Sequence, residues 1–251
     1  SPSDAALLSD PNNTLGIEYC RALLRVGAAP ALFTIPRTGA AHDATPENAG
    51  GYSASAIRHL LAEGRRADAL SRMVPAMRTV YEVEEAAGRA PVFAAACGRA
   101  ILARLRSMTP AEFDALDTGH EGVGQRLYNA SRNAATLDAV LDNAKTKRYA
   151  YARLRRMVLW AYLGLSPAEL PASVPYLRVL AANETGRALL GRMRKTARLP
   201  VITKPAAIRS LSPDSQRLFE TESRAADLYA LAYPELTEAC GSLWRQNPVM
   251  P

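Results

Sequence analysis

Ala31-Leu-Phe-Thr-Ile35, a short apolar run, is followed after a polar stretch by Ser53-Ala-Ser-Ala-Ile-Arg58, and the way the two are joined decides the fold class. The first has the length and composition of a buried strand. The second opens a helix that continues to about Glu63 and stops at Gly64, a residue that tolerates the left-handed backbone of a helix end. Between them, residues 36–52 are rich in Gly and Pro and read as a loop. Upstream, Leu15, Tyr19, Leu23 and Val26 recur at helical spacing up to Gly27. Asp10-Pro-Asn-Asn13 precedes them, with side chains suited to accept from the first-turn amides. The order helix, strand, loop, helix is the closing part of an α/β unit. One strand cannot form a sheet, so this segment must lean on something else.

Beyond residue 65 the pattern is helical, recurring over 67–87, 91–107, 110–117, 121–129, 133–142, 146–164, 184–195 and 214–245. Pro110, Pro167 and Pro213 each follow Thr or Ser, which marks an N-cap with Pro at the first helical position. Only Pro200-Val-Ile-Thr-Lys204 suggests a short extended piece. The expected fold is therefore mainly α. Residues 1–66 form the residual carboxy-terminal portion of an α/β domain, and 67–251 form an all-helical domain.

Composition agrees: 48% of residues are apolar but only 6% aromatic, and Ala, Leu and Arg, all good helix formers, are abundant. No apolar run approaches the ~20 residues of a membrane span, and the opening Ser-Pro-Ser-Asp has neither the basic nor the apolar region of a secretory leader. Cys20, Cys97 and Cys240 are far apart and odd in number, so neither a disulfide framework nor a zinc site is expected. They read as buried free thiols of a cytoplasmic protein.

Net charge is +7, and its distribution carries more than its total. Residues 1–142 hold 14 Lys/Arg against 16 Asp/Glu, and residues 214–251 hold 3 against 6. Residues 143–213 hold 14 against 2, a net of +12. Concentration into one sector is the footprint of a polyanion-binding face, RNA above all.

Two constellations in these segments have chemical meaning. A helix N-terminus offers unsatisfied amides and a partial positive charge to phosphate. Ser53 and Ser55 add hydroxyls there, Arg58 sits a turn inside, and Arg37 follows the strand, where α/β folds gather ligands. Together they suit a triphosphate cradle. The same residues are accounted for if Ser53 only caps the helix and Arg58 faces solvent. The second constellation is Lys145-Thr-Lys-Arg-Tyr-Ala-Tyr-Ala-Arg-Leu-Arg-Arg156, within a stretch that has no acid from Asn143 through Ala168. On one helix, Lys145, Arg148 and Arg155 would share a face opposite Leu154, Met157, Val158 and Ala161. Lys147, Arg153 and Arg156 add charge, and Tyr149 and Tyr151 interleave the cations, an arrangement suited to phosphate contacts beside base stacking. The competing reading is a solvated helix whose tyrosines pack in the core. A further basic run, Arg187, Arg192, Arg194, Lys195, Arg198, Lys204 and Arg209, contains no acid after Glu184. No Walker A loop, GxGxxG or complete GxSxG is present, and His42, His59 and His120 have no ligand-spaced companions.

Pro11-Asn-Asn-Thr-Leu-Gly-Ile-Glu-Tyr19, Thr34-Ile-Pro-Arg37, Ser53-Ala-Ser-Ala-Ile-Arg58 and Lys145-Thr-Lys-Arg-Tyr149, in this order, resemble the tRNA(Met) cytidine acetate ligase family. So do Pro175-Tyr-Leu-Arg-Val-Leu180 and Leu199-Pro-Val-Ile-Thr-Lys204, and the resemblance runs nearly end to end. It implies a nucleotidyltransferase-like Rossmann domain followed by a helical one. It also implies a reaction in which ATP, with Mg2+, activates acetate as acetyl-adenylate before the acetyl group passes to the wobble cytidine of elongator tRNA(Met). By that resemblance Asn12, Asn13 and Arg37 contact ATP, and Ser53 to Arg58 grips its phosphates. The family's His-x-Gly-His type signature is absent: His42 is followed by Asp-Ala-Thr, His59 by Leu-Leu-Ala, and His120 by Glu-Gly-Val. An amino-terminal segment of roughly 150 residues, about half a large domain, is therefore expected to be missing. Two other readings compete. A non-catalytic helical RNA-binding protein would explain the missing histidines, and a small-molecule nucleotidyltransferase would leave the basic sector without purpose.

Overall fold

A computed structural model describes residues 8, 11–35, 53–117, 119, 121–236 and 239–250. It divides into two compact units, Ser1–Ile57 and Arg58–Pro251.

In the first unit, α1 (Pro11–Val26) takes in Pro11-Asn-Asn13, expected to precede it, and ends at Gly27, whose φ of 65° is the left-handed backbone that Gly adopts without strain. The expected strand is corrected. Residues 28–35 form no strand, and Leu32, Phe33 and Ile35 are 64, 90 and 93% exposed. A strand obtains both its hydrogen bonds and its burial from a neighbour, and none is paired with it among the described residues.

Helix α2 spans Ala54–Ala62. Next come α3 (Arg66–Ser71) and α4 (Pro75–Ala86), where one helix over 67–87 was expected. The break falls at Val74, which is extended (ψ 146°) because the ring of Pro75 disfavours a helical residue before it. A 3-10 turn (Ala94–Cys97) leads into α5 (Gly98–Ser107), followed by α6 (Pro110–Asp114), α7 (Val123–Arg132), α8 (Leu137–Ala144) and α9 (Tyr151–Leu163). Thr109 and Glu112 form a reciprocal capping box around Pro110, as the sequence pattern predicts. Ile101, Leu105, Phe113, Val123, Leu127, Val140, Leu154 and Met157, spaced at helical intervals, fill the shared core of α5 to α9. Helices α6 and α7 meet so closely that a Cβ on Gly124 would lie 2.8 Å from the Asp114 Cα.

The carboxy-terminal third departs from the all-helical expectation. Strands β1 (Leu177–Arg178) and β2 (Val201–Ile202) pair in parallel, with Leu177 opposite Val201, and α10 (Glu184–Thr196) is the crossover between them. Val249 extends the arrangement by exchanging hydrogen bonds with Leu180 and Ala182, each 3.0 Å. Strand β2 lies within the extended piece expected over 200–204, whereas β1 was not expected, being too short to show a period of two. A second core of Tyr176, Ile202, Ile208, Phe219 and Leu243 lies under this sheet, against α11 (Pro213–Ala230) and α12 (Ser242–Arg245). The helix expected over 214–245 stops at Ala230 and resumes only after Gly241, with Pro234 between.

Candidate functional site

At the phosphate-cradle candidate, Ser53 is the N-cap of α2. Its Oγ accepts from the Ala56 amide at 3.1 Å and its carbonyl from the Ile57 amide at 3.1 Å. A capping hydroxyl accepts through a lone pair, so its own hydrogen is still available to an anion. Ser55 is half-buried in the first turn of α2 and Arg58 is exposed one turn on. Asn12 and Asn13 are exposed in the first turn of α1. Arg37, His42 and His120 lie outside the described residues. Among the described residues, no group of three or more His, Cys, Asp or Glu is arranged to hold a metal ion, and no helix is long and apolar enough to cross a membrane. Cys97 is buried, but Cys20 and Cys240 are exposed, correcting the expectation of three buried thiols.

The basic run from Lys145 to Arg156 is not one helix. Helix α9 begins only at Tyr151, and Lys145 and Ala150 are extended, so Lys145 and Arg148 do not share a helical face with Arg155. The cause is local. Thr146 Oγ1 accepts from the amides of Arg148 (3.2 Å) and Tyr149 (3.1 Å), which gives the backbone an alternative to helix. Behind this loop, Arg126 of α7 donates to the carbonyls of Asn143 (3.0 Å) and Ala144 (2.7 Å), fixing the end of α8.

The loop sorts its cations into two sets, each around a tyrosine. Tyr149 is buried, and its hydroxyl donates to the Glu121 carbonyl at 2.5 Å, so its ring is a core element rather than a surface for bases. Arg148 and Arg153 flank that ring at 5.9 and 5.7 Å. Arg153 is fixed further: it donates to both Asp117 oxygens (3.1 and 2.7 Å) and to Glu121 (3.0 Å). These hydrogen bonds, Asp117's first, push its guanidinium pKa above the usual arginine value. In the outer set, Tyr151 has Lys145 at 5.8 Å and Arg155 at 5.5 Å from its ring centroid. The Tyr151 hydroxyl donates to Asp142, which raises its pKa. Lys145, Lys147, Arg148, Arg155 and Arg156 are exposed. This arrangement presents five cations to solvent on a loop and the start of a helix, three of them held over aromatic faces.

Charge counting could not distinguish these from the arginines inside the helical bundle. Arg104 donates to the Ala161 carbonyl, Arg106 to that of Ala134, and Arg132 to those of Arg106 and Met108, joining helix ends rather than facing a ligand. The second basic run falls largely on α10, none of whose residues is buried.

Curated relatives called tRNA(Met) cytidine acetate ligase include those of Acetivibrio thermocellus (30% identical over 258 residues, covering 97% of this chain and 61% of the relative) and Caldanaerobacter subterraneus (33% over 232 residues, 90% and 56%). The chain thus spans about three fifths of the length of the relatives it matches. Crystal structures of Thermotoga maritima TmcAL superpose with a TM-score of 0.87 in an apo form and 0.85 in a form bound with alpha-thio ATP. Each is 25% identical and covers 97% of this chain, which spans 61 and 60% of those chains. The family described as HIGH Nucleotidyl Transferase matches residues 1–242. On that match, across almost its whole length, the chain belongs to the HIGH nucleotidyl transferase family.

Proposed function

We propose that this chain serves in an ATP-dependent tRNA ligase that acetylates N4 of the wobble cytidine of elongator tRNA(Met) in the cytoplasm. The observation that carries the reading is the likeness, over 90% or more of the chain, to relatives named for that activity. The +12 sector, with five exposed cations at 145–156, supports it independently. In this reading the acetate oxygen attacks the α-phosphorus of ATP and pyrophosphate leaves. The cytidine amine then attacks the acetyl carbonyl, loses a proton and releases AMP. Asn12, Asn13, Arg37, Ser53, Ser55 and Arg58 hold the nucleotide, with the α2 amides and hydroxyls facing phosphate. Mg2+ accompanies the triphosphate as its counter-ion. Lys145, Lys147, Arg148, Arg155 and Arg156 contact tRNA, while Arg153 and Tyr149 hold the loop in shape.

These 251 residues contain no His-x-Gly-His sequence, whose histidines would neutralise charge on the transferring phosphate. The proposal therefore includes that, on their own, they do not adenylate acetate. Acetate-dependent exchange of pyrophosphate into ATP is expected at background, and measurable exchange would refute that part. The wider reading is tested by binding of elongator tRNA(Met) across a salt series. Steep weakening with salt, together with loss on changing Lys147, Arg148 and Arg155 to Ala, is the expected result. No binding at low salt would overturn the tRNA assignment in favour of a small-molecule nucleotidyltransferase.

A further inference from the structure

Helix α10 and the turn after it carry a cluster of cations that, like Arg155 and Arg156 of α9, are used differently from many arginines of the second unit. Elsewhere in that unit, Arg65, Arg66, Arg78, Arg89, Arg104 and Arg153 each meet a carboxylate within 4 Å. On and just after α10, Arg192, Arg194, Lys195 and Arg198 make no ion pair among the described residues, and all four are exposed. The helix is attached mainly at its ends. On one side Leu177 and Val179 donate to Pro200 and Ile202 (2.8 and 2.9 Å), and on the other Ala182 and Val249 are paired. Gly186, Leu190 and Met193, at i, i+4 and i+7, are half-buried and form the inner face. The cations fall on the remainder of the circumference, and a Cβ at Gly191 among them would meet nothing within 4 Å, so a ligand can approach the backbone. The helix dipole favours Arg194 and Lys195 in the last turn. It gives no reason for Arg192 a turn earlier or for Arg198 beyond the end.

We propose that α10 is an RNA-docking arm that lies along the phosphate backbone of folded RNA and contacts it through Arg192, Arg194, Lys195 and Arg198, in addition to the 145–156 loop. The inference rests on the tRNA reading above. Three of the four are guanidinium groups, which grip phosphate oxygens in pairs. An α-helix cannot enter the deep, narrow major groove of an RNA duplex, so backbone contact is the mode such a helix has open to it. An anionic membrane surface is disfavoured, because interfacial helices carry large apolar or aromatic anchors and the outward face of α10 offers only Leu189.

The test compares three forms of the 251-residue chain for binding to a tRNA(Met) transcript from 50 to 300 mM salt. These are the unaltered chain, a variant carrying Arg192→Gln, Arg194→Gln, Lys195→Gln and Arg198→Gln, and a control of equal charge loss carrying Arg21→Gln, Arg65→Gln, Arg78→Gln and Arg217→Gln. Circular dichroism confirms folding of each. If α10 docks RNA, the salt slope of log affinity falls by about 3 to 4 for the α10 variant, at about 0.9 per phosphate contact, and hardly changes for the control. Equal losses in both, or an unchanged slope in the α10 variant, would overturn the proposal. A slope lost only when Lys147, Arg148, Arg155 and Arg156 are changed would overturn it while leaving the tRNA reading intact. No binding by the unaltered chain would overturn both. Retained RNA binding with lost adhesion to vesicles of three parts phosphatidylserine to seven of phosphatidylcholine would transfer the arm to a membrane and overturn it as well.

Discussion

Arg153 and Arg155, two residues apart in the same basic run, should fail in opposite ways. The Arg153 side chain is 24% exposed and its partner Asp117 only 15%, and the guanidinium holds both Asp117 and Glu121. Changing Arg153 to Met keeps the stem but leaves a mostly buried carboxylate without its cation. Losing one partner of a fully buried pair costs about 3–5 kcal/mol. Partial exposure here lowers that to about 2 kcal/mol, roughly a 30-fold change in the folding equilibrium. With a urea dependence of about 2 kcal/mol per molar, the unfolding midpoint should fall by about 1 M. Arg155→Met removes an exposed cation over Tyr151 and should stay within about 0.5 kcal/mol of the unaltered chain. In tRNA binding the order reverses: Arg155→Met lowers the salt slope by about 0.9 and Arg153→Met leaves it unchanged. Urea unfolding followed by tryptophan fluorescence, combined with filter binding at two salt concentrations, reads all four quantities. If Arg153→Met is as stable as the unaltered chain, or lowers the slope as Arg155→Met does, the division between structural and ligand-facing cations is wrong.

Gly124→Ala should destabilise by about 1–3 kcal/mol, because its methyl would press on the Asp114 backbone where α6 crosses α7; a thermal melt with no loss would refute that close approach. Thr109→Ala removes the capping box of α6 and should lower the melting temperature by about 2–4 °C, for a loss near 1 kcal/mol. Glu84 and Glu85 are held below the ordinary glutamate pKa by hydrogen bonds from Arg89 and Arg66, and Glu112 by the Thr109 amide and hydroxyl. Stability from these groups is present above about pH 4.3 and should be lost as pH falls through their lower folded values, visible as a drop in the urea midpoint that Gln at all three positions abolishes. Tyr162, pushed up to about 12 by burial and then by its bond with Cys97, acts at the other end of the scale. Its contribution is complete below pH 10 and is lost as pH rises through 12, so Tyr162→Phe should flatten the alkaline limb of the same profile.

The helical bundle was legible from sequence because its apolar residues repeat over several turns and Thr or Ser before Pro marks its starts. Leu154, Met157, Val158 and Ala161 form the buried stripe that their spacing predicts. What could not be read depends on contacts remote in sequence. Residues 31–35 have the composition of a strand, but composition does not supply a pairing partner. The two-residue strands β1 and β2 exist because Leu177 meets Val201 across a crossover helix, which no local window contains. The basic run was read as a helix because its residues allow one, and Thr146 diverted the backbone. The candidate site was legible as charge but not as geometry. Arg153, Arg155 and Arg156 are equivalent in a count, and only the position of Asp117, 36 residues earlier, separates the first from the others.

The pairing of Val249 with Leu180 and Ala182 has a consequence for how the molecule comes into being. On the ribosome, α10 is made well before residue 249 exists, and the loop that must close to tether its leading end is nearly seventy residues long. The bundle of α5 to α9 is built from neighbouring segments and can condense while synthesis proceeds. The basic crossover helix therefore gains this second tether only once residue 249 has been made, later than the bundle of α5 to α9 can condense.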